Sequence, residues 1–474
     1  MGGDRAIKKR SGEGIMLPAK ASFYYIASTV IGKGASVLLT PIFTRAMSAG
    51  EFGAYSYYIS VLSVVILLSG VFLSPTVIYS GLGKFKDEKS GFENSSIMLT
   101  AVITTAICLV LFTFNGVFGV DRRLVAFIYL QILFDSVVTA ELLSGKFSYD
   151  YTKVVTINLV SAFLSPIISL FLIFRYGMGA EGRILGLLLT SGALALGLLF
   201  LRFGSIKIPK RSHTAYLLRN SVPLFPGMLA RASMGWSDKL IINGRLGATA
   251  LAKYSVAHTV GMALFGIIGA LSSAINPWMV RKLSAREEER IFPVIKNLSE
   301  AISFASVFIM GLAPEIFAFL APESYRDYTL AILPFALSTA PYFLFGAASV
   351  FITFSEKTRF ISFASLLGAA LNLGLNFLLI SAVGPIGGAI SYLISELAVF
   401  LSALWLLRGC DRRAYDMLKS PMPILFPLGF SMLFPMLYSF LSLRLLLLIF
   451  PGVMLVNRGF RCLMLVKEKG SEGA

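Results

Sequence analysis

Residues Thr44 to Ser56 read TRAMSAGEFGAYS, and residues Gly244 to Ser255 read GRLGATALAKYS. In each, an arginine closes a long apolar run, a short Gly/Ala linker follows, and Tyr55 or Tyr254 opens the next run. Prolines follow at similar distances, Pro75 and Pro277. A second pair of segments keeps the same register: RYGMGA at Arg175 to Ala180 and VGPIGGA at Val383 to Ala389, each joining the fifth and sixth runs of its half. Two matches in one register predict a duplicated architecture of about six helices per half, both halves entering from the same face.

The runs between these motifs have membrane length. Of 474 residues, 56% are hydrophobic and 14% charged, whereas a soluble domain carries about 25% charged residues. So much apolar surface has to face lipid. A hydrocarbon core of about 30 Å takes about 20 apolar residues per helix, and about fourteen such runs follow one another. The first is centred near Ile31, and the last two lie near Met432 and Leu448. The expected fold class is therefore all-α: a polytopic membrane protein with two pseudo-symmetric six-helix lobes plus two C-terminal helices. The segments expected are a cytoplasmic basic N-terminus (1–20), an N-lobe (21–205), a cytoplasmic linker (206–218), a C-lobe (219–410), a C-terminal helix pair (411–466) and a cytoplasmic tail (467–474). The run from Ser22 to Ile42 is too long for the apolar core of a signal peptide and contains Lys33, so it reads as a retained first helix.

The net charge of +17 does not point to nucleic acid, because Lys and Arg sit in short loops between apolar runs. With the N-terminus in the cytoplasm, the basic loops fall mostly inside, which also places the C-terminus inside. The expected location is the cytoplasmic (inner) membrane, with the bilayer itself as a partner. The three cysteines (Cys108, Cys410, Cys462) and two histidines (His213, His258) give neither a metal-ligand spacing nor a disulfide framework. The stretch GMGAEG, Gly177 to Gly182, matches G-x-G-x-x-G literally, but it lies between two membrane-length runs and lacks the strand a dinucleotide site needs. No nucleophile–base pair, phosphate-binding loop or paired-acid motif stands in a soluble region. No enzyme activity, cofactor or metal is expected.

Charges at membrane depth are costly and become functional candidates. Lys33 lies on a stripe with Ser22, Tyr25, Thr29, Ser36 and Thr40, a helical spacing whose polar face has to meet protein or water. The seventh run carries Arg231, Asp238 and Lys239; a spacing of seven puts Arg231 and Asp238 on one helical face, and Asp238 has Arg231, Lys33 and Lys239 as possible partners. His258 in the eighth run titrates near neutral pH when unperturbed and is a candidate for ion coupling, with a hydrogen-bonded core role as the alternative. Asp135, Glu141, Glu300 and Glu396 are the remaining acids at membrane depth. They are read as coupling candidates or as helix locks. Tyr25, Tyr55 and Tyr254, with Trp236, are candidates for stacking on sugar rings.

The order of these segments resembles a known family. TPIFTR at Thr40 to Arg45, EFGAYS at Glu51 to Ser56, SDKLII at Ser237 to Ile242, AKYS at Ala252 to Ser255, NPWM at Asn276 to Met279 and NLGLN at Asn372 to Asn376, with GPIGGA following, are similar to the Wzx-type polysaccharide-biosynthesis transporters. These are oligosaccharide-lipid flippases of the multidrug/oligosaccharidyl-lipid/polysaccharide (MOP) superfamily. The resemblance implies two six-helix lobes around a central cavity lined by the first, second, seventh and eighth helices. It also implies alternating-access flipping of a polyprenyl-diphosphate-linked glycan, with a polysaccharide polymerase and other export proteins as possible partners. Cations on the two cavity helices (Lys33, Arg231, Lys239) suit a diphosphate. A lipid-linked peptidoglycan precursor flippase and a cation-coupled multidrug antiporter of the same superfamily are the alternatives.

Overall fold

The computed structural model describes residues 24–467 apart from 26, 29, 30, 33, 36, 116–119, 203–208 and 358. Among the described residues every regular element is helical. The chain forms two compact units, Met1–Leu229 and Ala230–Ala474.

The first unit holds α1 (Val37–Ala46), α2 (Ala49–Ser69), α3 (Pro75–Lys84), α4 (Lys89–Thr113), α5 (Arg122–Phe147), α6 (Tyr151–Tyr176), α7 (Gly179–Leu201) and α8 (Arg211–Ser221). Helix α9 (Phe225–Ser233) straddles the division in sequence. The second unit continues with α10 (Ser237–Ser284), α11 (Ile291–Gly311), α12 (Ala313–Leu320), α13 (Ile332–Phe354), α14 (Arg359–Val383) and α15 (Ile386–Cys410). It ends with α16 (Arg412–Leu418), α17 (Met422–Leu437) and α18 (Leu441–Lys467).

Twelve helical stretches among the described residues are long and apolar enough to cross a membrane. One of them, the 48-residue α10, breaks at Gly247, where φ is 80° and ψ is 173°. Helix α9 and the arm before Gly247 occupy the seventh apolar run, and the arm after it occupies the eighth. Helix α1 is the described end of the first run, whose earlier part is only partly described. The chain is thus a multi-pass membrane protein.

The repeated motifs turn by different local chemistry. In the first unit, Ser48 caps α2: its hydroxyl accepts from the Glu51 N–H, and the Glu51 carboxylate accepts from the Ser48 N–H at 2.8 Å. That reciprocal box satisfies N–H groups a helix start leaves open. The second unit has no such serine and turns at Gly247. The other pair of motifs turns alike, since Gly177 (φ 67°) ends α6 and Gly384 (φ 74°) follows α14. Both lie in the left-handed region, where a side chain is penalised.

Apolar side chains cover the outer faces. Phe200, Trp405 and Met436 are 79%, 74% and 78% exposed, as expected of residues facing lipid. Helix α13 is the opposite case: Phe335, Phe343 and Phe351 are buried, and it forms the hub of the second unit. Many intramembrane serines bond their own helix, as Ser391 does to the Gly387 carbonyl and Ser395 to Ser391, both at 2.7 Å. Those serines do little to join helices; ion pairs, aromatic contacts and some cross-helix hydroxyl bonds, such as Ser303 to the Pro423 carbonyl at 2.6 Å, supply that role.

One such join ties four helices of the first unit. Arg202, which caps α7, donates to Glu93 of α4 at 2.6 Å and to Glu141 of α5, and Glu141 also takes Lys153 of α6. Helix α8 docks at the same end through His213. Its buried ring lies edge-on to Phe85, at 4.7 Å between centroids, with Nε2 2.9 Å from Glu88.

Candidate functional site

In the second unit, polar groups cluster around the start of α10. The sequence spacing places Arg231 and Asp238 on one helical face, but the structure does not: a turn at Met234 to Trp236 separates α9 from α10, with the Gly235 N–H bonded back to the Ala232 carbonyl at 2.9 Å. The two residues go to different partners. Arg231 pairs with the fully buried Glu396 of α15: Nη2 donates to Oε2 at 3.2 Å, and Nη1 lies 2.9 Å from Oε1. Its guanidinium also sits over the rings of Tyr342, at 5.0 Å, and Phe345, at 5.7 Å. Tyr392 lies within electrostatic reach of the same glutamate.

Asp238 is buried and accepts from the Tyr254 hydroxyl and, at 2.8 Å, from the Lys239 N–H. The side chain that donates to it is therefore Tyr254, while Arg231 goes to Glu396; Lys33 lies outside the described residues. Lys239 lies within electrostatic reach of Asp238 and His258. Tyr254 is fully buried, so in this conformation its ring offers no face to a sugar. The close approach has a backbone cause. A Cβ built on Gly388 would stand 2.9 Å from the Tyr254 hydroxyl oxygen and 3.2 Å from the Asp238 Cβ, so any side chain there presses on the pair. Beside this pair, Ser237 donates to Asn372 Oδ1 at 3.0 Å, while Asn376 donates to both Ser237 and Asn372 at 3.1 Å. His258 is buried, edge-on to Phe335 with centroids 5.3 Å apart, and tilted against Tyr254.

The first unit places its candidates apart. Lys33, with Ser22, Thr29 and Ser36 of its stripe, lies outside the described residues. Tyr25 is half-buried and donates to the Gly145 carbonyl at 3.4 Å. Tyr55 lies under Arg183, whose guanidinium is 5.2 Å from its ring and 4.0 Å from that of Phe43. Asp135 is held by two neutral donors, Gln131 Nε2 at 2.9 Å and Ser191 Oγ at 2.7 Å. Glu141 belongs to the Arg202 network already described. In the second unit, Glu300 of α11 pairs with Arg458 Nε of α18 at 2.7 Å.

The structure thus joins Arg231 with Glu396, and Asp238 with Lys239, Tyr254 and His258. Tyr25, Tyr55, Asp135, Glu141 and Glu300 each stand elsewhere. Sequence reasoning missed Tyr342, Tyr392, Asn372, Asn376 and Arg183 as site residues. Asn372 and Asn376 had a usable signal, because two buried amides four apart in an apolar run share a helical face. The tyrosines had none, since an aromatic in an apolar run reads as core or interface.

Comparisons place this architecture among known proteins. A lipid II flippase MurJ in an inward closed conformation superposes with a TM-score of 0.65 at 15% identity, covering 95% of this chain and 100% of that one. An inward-facing multidrug resistance MATE transporter of the MOP superfamily gives 0.63 at 13% identity, over 84% and 99%. A MOP superfamily transporter from Pyrococcus furiosus gives 0.58 at 14% identity, over 85% and 97%. At such identities the likeness establishes the fold. No curated protein matches the sequence. The profile of the polysaccharide biosynthesis protein family matches residues 19–283, more than half of the chain and both long motifs from which its duplication was read, and the chain accordingly belongs to the polysaccharide biosynthesis protein family.

Proposed function

We propose that this protein flips polyprenyl-diphosphate-linked oligosaccharide repeat units from the cytoplasmic to the outer leaflet of the cytoplasmic membrane, by alternating access and for surface polysaccharide synthesis. The observation that carries the proposal is family membership over residues 19–283. That stretch holds Tyr25, Lys33, Tyr55, Arg231, Asp238, Lys239 and Tyr254. The transporter fold supports it, and so does the chemistry of Arg231. A guanidinium that pairs with a buried carboxylate also suits a diphosphate oxygen pair. In this reading Arg231 exchanges Glu396 for the headgroup, Lys33 and Lys239 add positive charge, and both termini face the cytoplasm. A polysaccharide polymerase receives the product.

Coupling falls to a different group. Glu141, Glu300 and Glu396 are engaged by basic side chains, which supports a locking role for them. Asp135 takes hydrogen bonds from two neutral donors, Gln131 and Ser191, which favours it, with His258, as the group that takes up and releases a cation or proton.

The test is a deletion strain. Surface polysaccharide should be lost and lipid-linked repeat units should accumulate. Wild type should rescue both, and Lys33→Ala and Arg231→Gln proteins of equal abundance should not. A lipid-linked peptidoglycan precursor flippase is a second reading, supported by the fold shared with the lipid II flippase. It predicts accumulation of that precursor with normal surface glycan. Unchanged glycans with altered drug tolerance would instead support the antiporter.

A further inference from the structure

In the second unit, two cavities meet where α11, α16, α17 and α18 converge. The larger, about 780 Å³, has Lys296 and Glu300 of α11, Arg413 and Asp416 of α16 and Arg458 of α18 in its wall. The smaller, about 170 Å³, shares Glu300, Pro423 and Arg458 with it and is otherwise lined by Phe304, Phe426, Phe450 and Met454, among others. A polar mouth therefore leads past one ion pair into an aromatic and thioether pocket.

The charges at the mouth are unevenly committed. Glu300 is matched by Arg458 at 2.7 Å, and Asp416 by Lys419 at 2.5 Å. Lys296 is exposed, and Arg413, 72% exposed, reaches Glu288 only at 3.8 Å. Lys296 and Arg413 are thus the least committed charges at the mouth. The pocket behind them opens toward surrounding lipid, since Phe450 and Met422 on its wall are both about half exposed.

We infer that this pair of cavities binds an anionic phospholipid of the surrounding bilayer, its phosphate between Lys296 and Arg413 and a length of one acyl chain against Phe304, Phe426 and Phe450. A basic residue at an anionic lipid surface favours binding by roughly fivefold, so two together set a clear headgroup preference. The small inner pocket admits a chain segment and no glycan. The inference does not rest on the transport reading and is read out on purified protein without transport.

The experiment is native mass spectrometry of the full-length protein, extracted from mixed micelles holding equal phosphatidylglycerol and phosphatidylcholine of the same acyl chains. Wild type should retain phosphatidylglycerol about tenfold over phosphatidylcholine. Lys296→Gln with Arg413→Gln should abolish the preference, and Lys296→Arg with Arg413→Lys should keep it. Met454→Trp, which fills the inner pocket and leaves both cations, should reduce retention of both lipids. Equal retention of the two lipids by wild type would overturn the proposal. So would a Gln double variant that holds phosphatidylglycerol as wild type does. Displacement of the phospholipid by equimolar polyprenyl diphosphate would also overturn it, by assigning the site to a polyprenyl lipid.

Discussion

Tyr254 donates its phenolic hydrogen to Asp238, sixteen residues earlier on the other arm of the bend at Gly247, and both side chains are buried. The bond clips the two arms together just after the chain reverses. Tyr254→Phe removes the donor and leaves a buried carboxylate short of a partner, at a cost of about 1–3 kcal/mol. The expected outcome is a lower thermal midpoint in detergent, and a double-mutant cycle with Asp238→Asn should return a coupling energy clearly different from zero.

Gly388 lies against that bond. A methyl group there meets Tyr254 and Asp238 at 2.9 and 3.2 Å, and overpacking of this kind costs about 1–3 kcal/mol. Gly388→Ala should reduce folded protein recovered from membranes. Gly374→Ala, whose added methyl meets nothing within 4 Å, should leave recovery equal or improved, because alanine favours helix by up to about 1 kcal/mol. Fluorescence-detection size exclusion of the two variants side by side reads the contrast.

Arg202 bonds two buried carboxylates, Glu93 and Glu141. Arg202→Gln strands Glu93 and leaves Glu141 with Lys153 alone, and removing one member of a buried pair costs about 3–5 kcal/mol. Unfolding followed by cysteine accessibility at Cys108, buried on α4, should begin at lower temperature in this variant. Lys153→Gln, which removes a more exposed partner of the same network, should shift it less.

Outside the candidate spans, Glu315 of α12 accepts two hydrogen bonds from Arg444, at 2.7 and 2.8 Å. Those bonds hold its carboxyl below the ordinary glutamate value. The stabilisation is fully present above the unfolded-state pKa, about 4.3, and is lost as pH falls through the folded value. Because Glu315 is partly exposed, the effect is a modest one. The gap in thermal midpoint between wild type and Glu315→Gln should stay constant from pH 8 to 6 and close progressively below about pH 4.5.

The helices were legible because lipid demands long apolar runs, and the duplicated loops because left-handed turns demand glycine: Gly177 and Gly384 fall at matching points of two motifs. The site was less legible. Met234, Gly235 and Trp236 carry no signal of a turn within an apolar run, so Arg231 and Asp238 read as neighbours on one face. Pairings such as Arg231 with Glu396, 165 residues apart, are set by which helices pack together, and no local period encodes that. Tyr254 shows the same limit: its residue type suggested a sugar platform, whereas its surroundings make it the donor that satisfies a buried acid.

The bonds that Arg202 and Glu141 make with Glu93 and Lys153 fasten α4, α5, α6 and α7 together at one end. A conformational cycle has to carry those four helices as a single lever arm, since splaying any one of them would strand a charge. Movement within the first unit is then left to the described elements outside this fastening, α1, α2, α3 and α8. A spin-label pair on α4 and α7 should accordingly keep one distance throughout turnover, while a pair on α2 and α7 should not.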